Sequence, residues 1–321
     1  MPSSSEIREQ VARESERRSR LAVPAFAGGV LYLLSAIIIA STLNSAPNVG
    51  LFQGLEPALR GEANPRVSPR ADEVKFISHH AFGLVAGSAL AAVAIGALTL
   101  VLLLLADATR FRRPGMWAAA RPLVLFGGIA VALVSLSHQV ISAVQTHNFA
   151  VGHDFSNHAV DQALTKGTLN LLTDYLALLA GLALAAGVVT VAMNAQRVGL
   201  IPRWMGIVGI FTGLLIFLPI GGAELQIVPA FWLVMMGVLY LGRWSKGDPP
   251  AWAAGEARPW PTQAELRAAR ESGGSPQPRS QGAKPAPSSQ GQEVAPAPAQ
   301  PAAAGSSRAS RKRRRKRRAR G

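Results

Sequence analysis

Apolar residues in this chain neither alternate with polar ones nor recur on one narrow helical stripe; they run together in six blocks between residues 21 and 241. A helix rises about 1.5 Å per residue and the hydrocarbon layer is about 30 Å thick, so one crossing takes roughly 20 apolar residues. Residues 21–43, 81–106, 122–143, 169–193, 205–222 and 223–241 meet that requirement. In lipid the backbone must satisfy its hydrogen bonds within its own segment, and no block shows the two-residue alternation of a barrel strand. The pattern therefore predicts an all-α fold, a six-helix transmembrane bundle. The last two blocks meet at Gly221, Gly222, Ala223 and Glu224, just after Pro219, a composition that suits a tight turn.

The flanks are polar. Residues 1–20 form a cytoplasmic amino-terminal arm in this reading, because the apolar block that follows is longer than the core of a secretory signal. Residues 242–271 make a juxtamembrane segment with Trp252, Trp260 and the spacing of a capping box from Thr262 to Glu265. Residues 272–321 combine a Pro/Ala/Ser linker with a polybasic tail, too polar to bury a core, and are expected to be disordered.

Charge orients the blocks. Five arginines lie in the amino-terminal arm, Arg110, Arg112, Arg113 and Arg121 between blocks two and three, Arg197 and Arg203 between four and five, and 17 basic residues after block six. The opposite loops hold Arg60, Arg66, Arg70, Lys75 and Lys166. By the positive-inside rule both termini are cytoplasmic, and Trp117, Trp204 and Trp244 flank the same ends, where amphipathic rings favour the headgroup level. The Ala, Arg, Gly and Pro usage resembles that of a GC-rich bacterial genome, which makes the membrane a plasma (inner) membrane.

From residue 243 onward the chain carries 17 basic and 5 acidic residues, a net +12 of the total +15. The densest run is Arg311, Lys312, Arg313, Arg314, Arg315, Lys316, Arg317 and Arg318. Each basic residue near an anionic leaflet is worth about 1 kcal/mol, so this run is expected to bind anionic lipid headgroups or ribosomal RNA. No aromatic residue interleaves with it to stack on bases. The plainer alternative is a solvated run that only reinforces orientation.

All six histidines fall on the opposite side. His79 and His80 open block two, His138 lies in block three, and His147, His153 and His158 precede block four, with Asp174 just inside it. Ionisable groups within a span are costly in lipid and face a bundle interior or a wet cavity, so His79, His80, His138 and Asp174 form a candidate metal or proton site. The loop with His147, His153, Asp154, His158 and Asp161 would guard it. The competing view is structural: groups about 8 Å deep reach interfacial water and need no partner.

The absence of cysteine removes disulfides, thiolate metal sites and thiol nucleophiles. No HExxH, GxSxG, P-loop or GxGxxG string occurs, so no catalytic residue and no cofactor is assigned. Small residues four apart, Gly83 with Gly87 and Gly209 with Gly213, mark faces for close helix packing. A homo-oligomer remains open.

Four segments carry a resemblance: residues 20–35 (RLAVPAFAGGVLYLLS), 107–114 (DATRFRRP), 198–213 (VGLIPRWMGIVGIFTG) and 247–252 (GDPPAW). Over about residues 20–265 the chain resembles an uncharacterised six-span membrane protein family of high-GC actinobacteria. The resemblance implies topology and location and transfers no catalytic residue. The leading expectation is a membrane-embedded structural or interaction protein whose basic tail binds anionic partners. The alternative is a transporter, sensor or membrane enzyme that uses the histidine side.

Overall fold

The computed structural model describes residues 3–47, 49–50, 52, 56, 59–61, 67–218, 226–244, 248–261, 267 and 271. All of them belong to one compact unit, Met1–Gln281; the second unit, Gly282–Gly321, lies outside the described residues. Every regular element among the described residues is helical.

Helix α1 runs from Ser4 to Asn44, about 60 Å at the standard rise. Its start is a capping box: Ser3 Oγ accepts the Glu6 backbone N–H at 3.3 Å and Glu6 Oε2 accepts that of Ser3 at 2.6 Å. With its first turn secured in this way, the polar arm and the first apolar block form one uninterrupted helix that runs through residue 20. A short amphipathic helix, α2 (Ala71–His79), leads into α3 (Ala81–Arg112), followed by α4 (Ala120–Val151). A short α5 (Asn157–Asp161) and a π-helical turn (Gln162–Lys166) then precede α6 (Thr168–Val198). The chain closes with α7 (Arg203–Phe217), α8 (Ile227–Tyr240) and α9 (Pro250–Ala254).

The main helices pack in a circuit: α1 on α3, α3 on α4, α4 on α6, α6 on α7, α7 on α8 and α8 back on α1. Helices α3 and α6 also touch across the middle. In lipid the hydrophobic effect does not drive helices together, so backbone proximity matters. Glycines provide it. A Cβ on Gly127 of α4 would stand 2.6 Å from the Leu184 backbone nitrogen of α6, and one on Gly29 of α1 would stand 2.7 Å from the Ala230 carbonyl oxygen of α8.

Of the small-residue positions expected to pack closely, Gly87 meets Ile39, Gly209 meets Ala192 and Trp232, and Gly213 meets Val189 and the Ala185 carbonyl. Gly83 faces open space, so that face of α3 has no close neighbour, while the adjacent Leu84 is buried. Large apolar side chains cover the outside of the bundle, among them Phe126, Leu133, Leu179 and Ile207. Such a belt is unfavourable in water and is the surface that lipid requires.

Four helical stretches are long and apolar enough to cross a membrane: α1, α3, α4 and the run from Asn157 to Val198. The last two apolar blocks are shorter as helices than as sequence, because α7 has 15 residues and α8 has 14. Their helical lengths are about 20 Å, less than the hydrocarbon thickness. The proposed turn at Gly221 to Glu224 lies outside the described residues, as does the capping-box segment from Thr262 to Glu265.

Replacing Gly127 by Ala should push α4 off α6, since the obstructing atoms are backbone and cannot rotate away. A loss of about 1–3 kcal/mol is expected from such overpacking. Gly83→Ala should be neutral or slightly stabilising, because the added methyl meets nothing and alanine is the better helix former. Unfolding of both variants in detergent, followed by circular dichroism, tests the contrast.

Candidate functional site

Two polar constellations sit at opposite ends of the bundle. At the arginine-rich end, Arg112 is the last residue of α3 and its guanidinium is fully buried. Its Nη1 and Nη2 donate to Glu14 Oε1 and Oε2 at 2.9 and 2.7 Å. Nε and Nη2 also donate to the Ala251 carbonyl at 3.0 and 2.9 Å, and Nη1 donates to the Ala108 carbonyl at 2.9 Å. All five N–H groups thus have acceptors, the condition under which an arginine fork can leave water. Glu14 Oε1 takes a further donor from Gln10 Nε2 at 2.9 Å.

The aromatic half of this cluster is Trp252 of α9. Arg18 and Arg112 lie 5.5 and 5.6 Å from its ring, within cation–π range. Its Nε1 donates to the Leu200 carbonyl at 2.9 Å, and the Tyr240 ring meets it edge-on. Arg18 pairs with Asp248 at 2.7 Å. Gly199 ends α6 at φ +86°, where a Cβ would collide with the Arg258 carbonyl, and this lets the Arg258 N–H reach Val198 at 2.9 Å. The amino-terminal extension of α1, the end of α3 and the segment after α8 are therefore fastened together. Every donor of Arg112 is committed to a protein acceptor, so the cluster is a lock.

At the histidine end, α4 and α6 meet along a polar seam. His138 Nδ1 lies 3.1 Å from Thr173 Oγ1 and 3.5 Å from Asp174 Oδ1. The Thr173 hydroxyl donates along its own helix, to Leu169 or Asn170, which leaves it to accept from the imidazole. Farther along, Gln145 Oε1 and Asn170 Oδ1 are buried without a hydrogen-bond partner among the described residues. Buried acceptors of this kind are uncommon and costly. Gly167 completes the seam, since a side chain there would run into the Gln145 amide.

The other histidines are placed differently from His138. His80 Nδ1 is 2.9 Å from the Phe76 carbonyl and its ring stacks on Phe76, while His79 ends α2 exposed. Among the described residues no three His, Asp or Glu side chains come together in a way that could hold a metal ion. The set of His79, His80, His138 and Asp174 expected from the sequence is thus not gathered into one metal site; only His138 and Asp174 meet. The geometric reason is that His79 and His80 sit around the α2–α3 junction, with His80 drawn onto Phe76 of its own segment.

The loop beside the seam carries a pocket of about 360 Å³, lined in part by Gln145, Asn148, His153, Asp154 and Gln162. The Ser156 backbone N–H donates to Asp154 at 2.9 Å and, with the Ser156 hydroxyl, holds its carboxyl below the usual carboxylate range. The run Arg311, Lys312, Arg313, Arg314, Arg315, Lys316, Arg317 and Arg318 lies outside the described residues. No protein-family model, curated protein or solved structure matches the chain.

Sequence reading missed Glu14, Arg112 and Trp252 as a unit, and Gln145 with Asn170. The available signal was weak: an acidic residue on the same polar helix as the first block, and a tryptophan in a Pro-flanked turn.

Arg112→Ala strands Glu14 in a buried site, so a loss of roughly 3–5 kcal/mol is expected. The double variant Glu14→Leu/Arg112→Met should recover most of it, because an apolar pair leaves no charge unpaired. Denaturant titration of the single and double variants in detergent measures this recovery.

Proposed function

We propose that this protein is a six-span integral membrane protein of the plasma membrane, with both termini cytoplasmic. Its bundle acts as an anchor, and the basic run from Arg311 to Arg318 docks on anionic partners, with lipid headgroups of the inner leaflet favoured over ribosomal RNA. The observation that carries this reading is the Arg112 lock. It ties the amino-terminal extension and the segment leading to the tail onto one end of the bundle. Arg17, Arg20, Arg110, Arg121 and Arg203 belong to that same end, where the positive-inside rule places the cytoplasm.

The topology is robust to the shortness of α7 and α8. A hairpin that crosses fully and one that re-enters the same face both return the chain to the side from which it left, so the two termini stay together. A second reading, a transporter, sensor or membrane enzyme working at the outer leaflet, draws support from the His138–Asp174 approach of 3.5 Å.

Reporter fusions at either terminus should be active only in the cytoplasm; an external terminus refutes the topology. In nanodiscs of anionic lipid, the tail arginines and lysines should resist trypsin at low salt. They should become cleavable near 1 M salt, where the screening length is about 3 Å. Cleavage that ignores lipid charge and salt removes the docking role, and release of the tail by added ribosomal RNA at low salt shifts the partner to RNA. For the second reading, elemental analysis of the purified protein should find a transition metal that is lost in His138→Ala.

A further inference from the structure

A slot of about 620 Å³ lies between α1 and α4, floored by α3. Its lining is almost wholly apolar. The α1 wall includes Pro24, Gly28 and Leu31, and the α4 wall includes Leu125 and Ile129. The floor includes Gly96 and Leu103. The hydroxyl of Thr99, which also lines the slot, donates to the Ile95 carbonyl at 2.8 Å and so adds no polar group. Slot volume is within the range of ligand sites, about 300–1,000 Å³.

What distinguishes this slot from a chance gap between helices is its arginine-rich end. Positions three or four apart on a helix share a face. Continuing the slot-lining face of α1 past Pro24 reaches Arg20 and then Arg17. On α4 the residue four before Leu125 is Arg121, and on α3 the face of Leu103 continues to Asp107 and Arg110. Arg121 Nε donates to Asp107 Oδ1 at 2.8 Å, so the α3 and α4 edges of this mouth are in contact. Arg20 pairs with Glu16 in the same way along α1.

Four arginines and two carboxylates give the mouth a net charge of +2. Both ion pairs are solvent-exposed, with Arg20 and Arg121 side chains 75% and 50% accessible, so a phosphate can displace or join them at little cost.

We propose that this slot is a binding site for an anionic phospholipid of the arginine-side leaflet. One acyl chain lies along Gly96 and Leu103, and the headgroup phosphate is held by Arg20 and Arg121. The shape, an apolar channel that ends in a cluster of guanidinium groups at one end of the bundle, matches an amphiphile with a single anionic head. The assignment rests on the bilayer placement proposed above and is independent of the tail.

Full-length protein is reconstituted with a mixture of phosphatidylglycerol and phosphatidylcholine, extracted in mild detergent and washed. Lipid still bound is then counted by native mass spectrometry. Wild type should retain phosphatidylglycerol in preference to phosphatidylcholine, and free glycerol phosphate should not displace it. Arg20→Gln/Arg121→Gln should lower that retention roughly tenfold or more, as expected for two lost cation contacts. Gly96→Leu should abolish retention of both lipids; the fold should survive, because a Cβ there meets nothing within 4 Å.

Removal of residues 308–321 should leave retention unchanged. Equal retention in wild type, the double variant and Gly96→Leu overturns the site. Loss only on tail removal also overturns it and assigns the lipid to the tail. Displacement by glycerol phosphate would show a phosphate site without an acyl channel. Because the tail has its own trypsin assay, a tail that fails to dock leaves this result untouched.

Discussion

A guanidinium can leave water only where acceptors meet all its N–H groups, and much of the arginine-rich end of this molecule is arranged around that condition at Arg112. The acceptors come from three places far apart in sequence: Glu14 on the polar extension of α1, Ala108 one turn back on α3, and the Ala251 carbonyl on α9. Removing any one would leave donors buried and unpaired, which is worse than having no arginine there. The arrangement therefore makes α1 helical well beyond its apolar block and draws the chain after α8 back onto the bundle. Trp252, held between Arg18 and Arg112, seals the cluster from solvent.

The middle of the bundle obeys a different constraint. Between apolar helices in lipid, attraction comes from packing, so contact quality depends on how closely backbones approach. Gly127 against Leu184, and Gly29 against Ala230, give α4–α6 and α1–α8 that proximity. Toward the histidine end the same α4–α6 seam changes character. Its residues become His138, Gln145, Asn170 and Thr173, and the two amide oxygens find no partner among the described residues. A locked polar cluster at one end and an incompletely satisfied one at the other make the two ends chemically unlike.

That asymmetry bears on function. The lock fastens the amino-terminal extension of α1, the end of α3 and α9 together at one end of the bundle. The histidine seam brings polar groups of α4 and α6 into contact, without a third metal-ligating side chain among the described residues.

The all-helical class and the four apolar runs long enough to cross a membrane were legible in the sequence. They follow from local properties: run length and the need of a backbone in an apolar setting to satisfy its hydrogen bonds within its own segment. The pairing of His138 with Asp174 was half legible, since both were singled out, but the wider set with His79 and His80 was not brought together. Nothing local could announce that Glu14 and Arg112, 98 positions apart, share four hydrogen-bonding atoms, or that Ala251 lends its carbonyl to them. Nor did composition show which glycines were needed: Gly83 and Gly127 read alike, and only the neighbouring helix separates them. Burial of a charge and closeness of two backbones are properties of pairs of distant segments, so they exist only once the helices have been assembled.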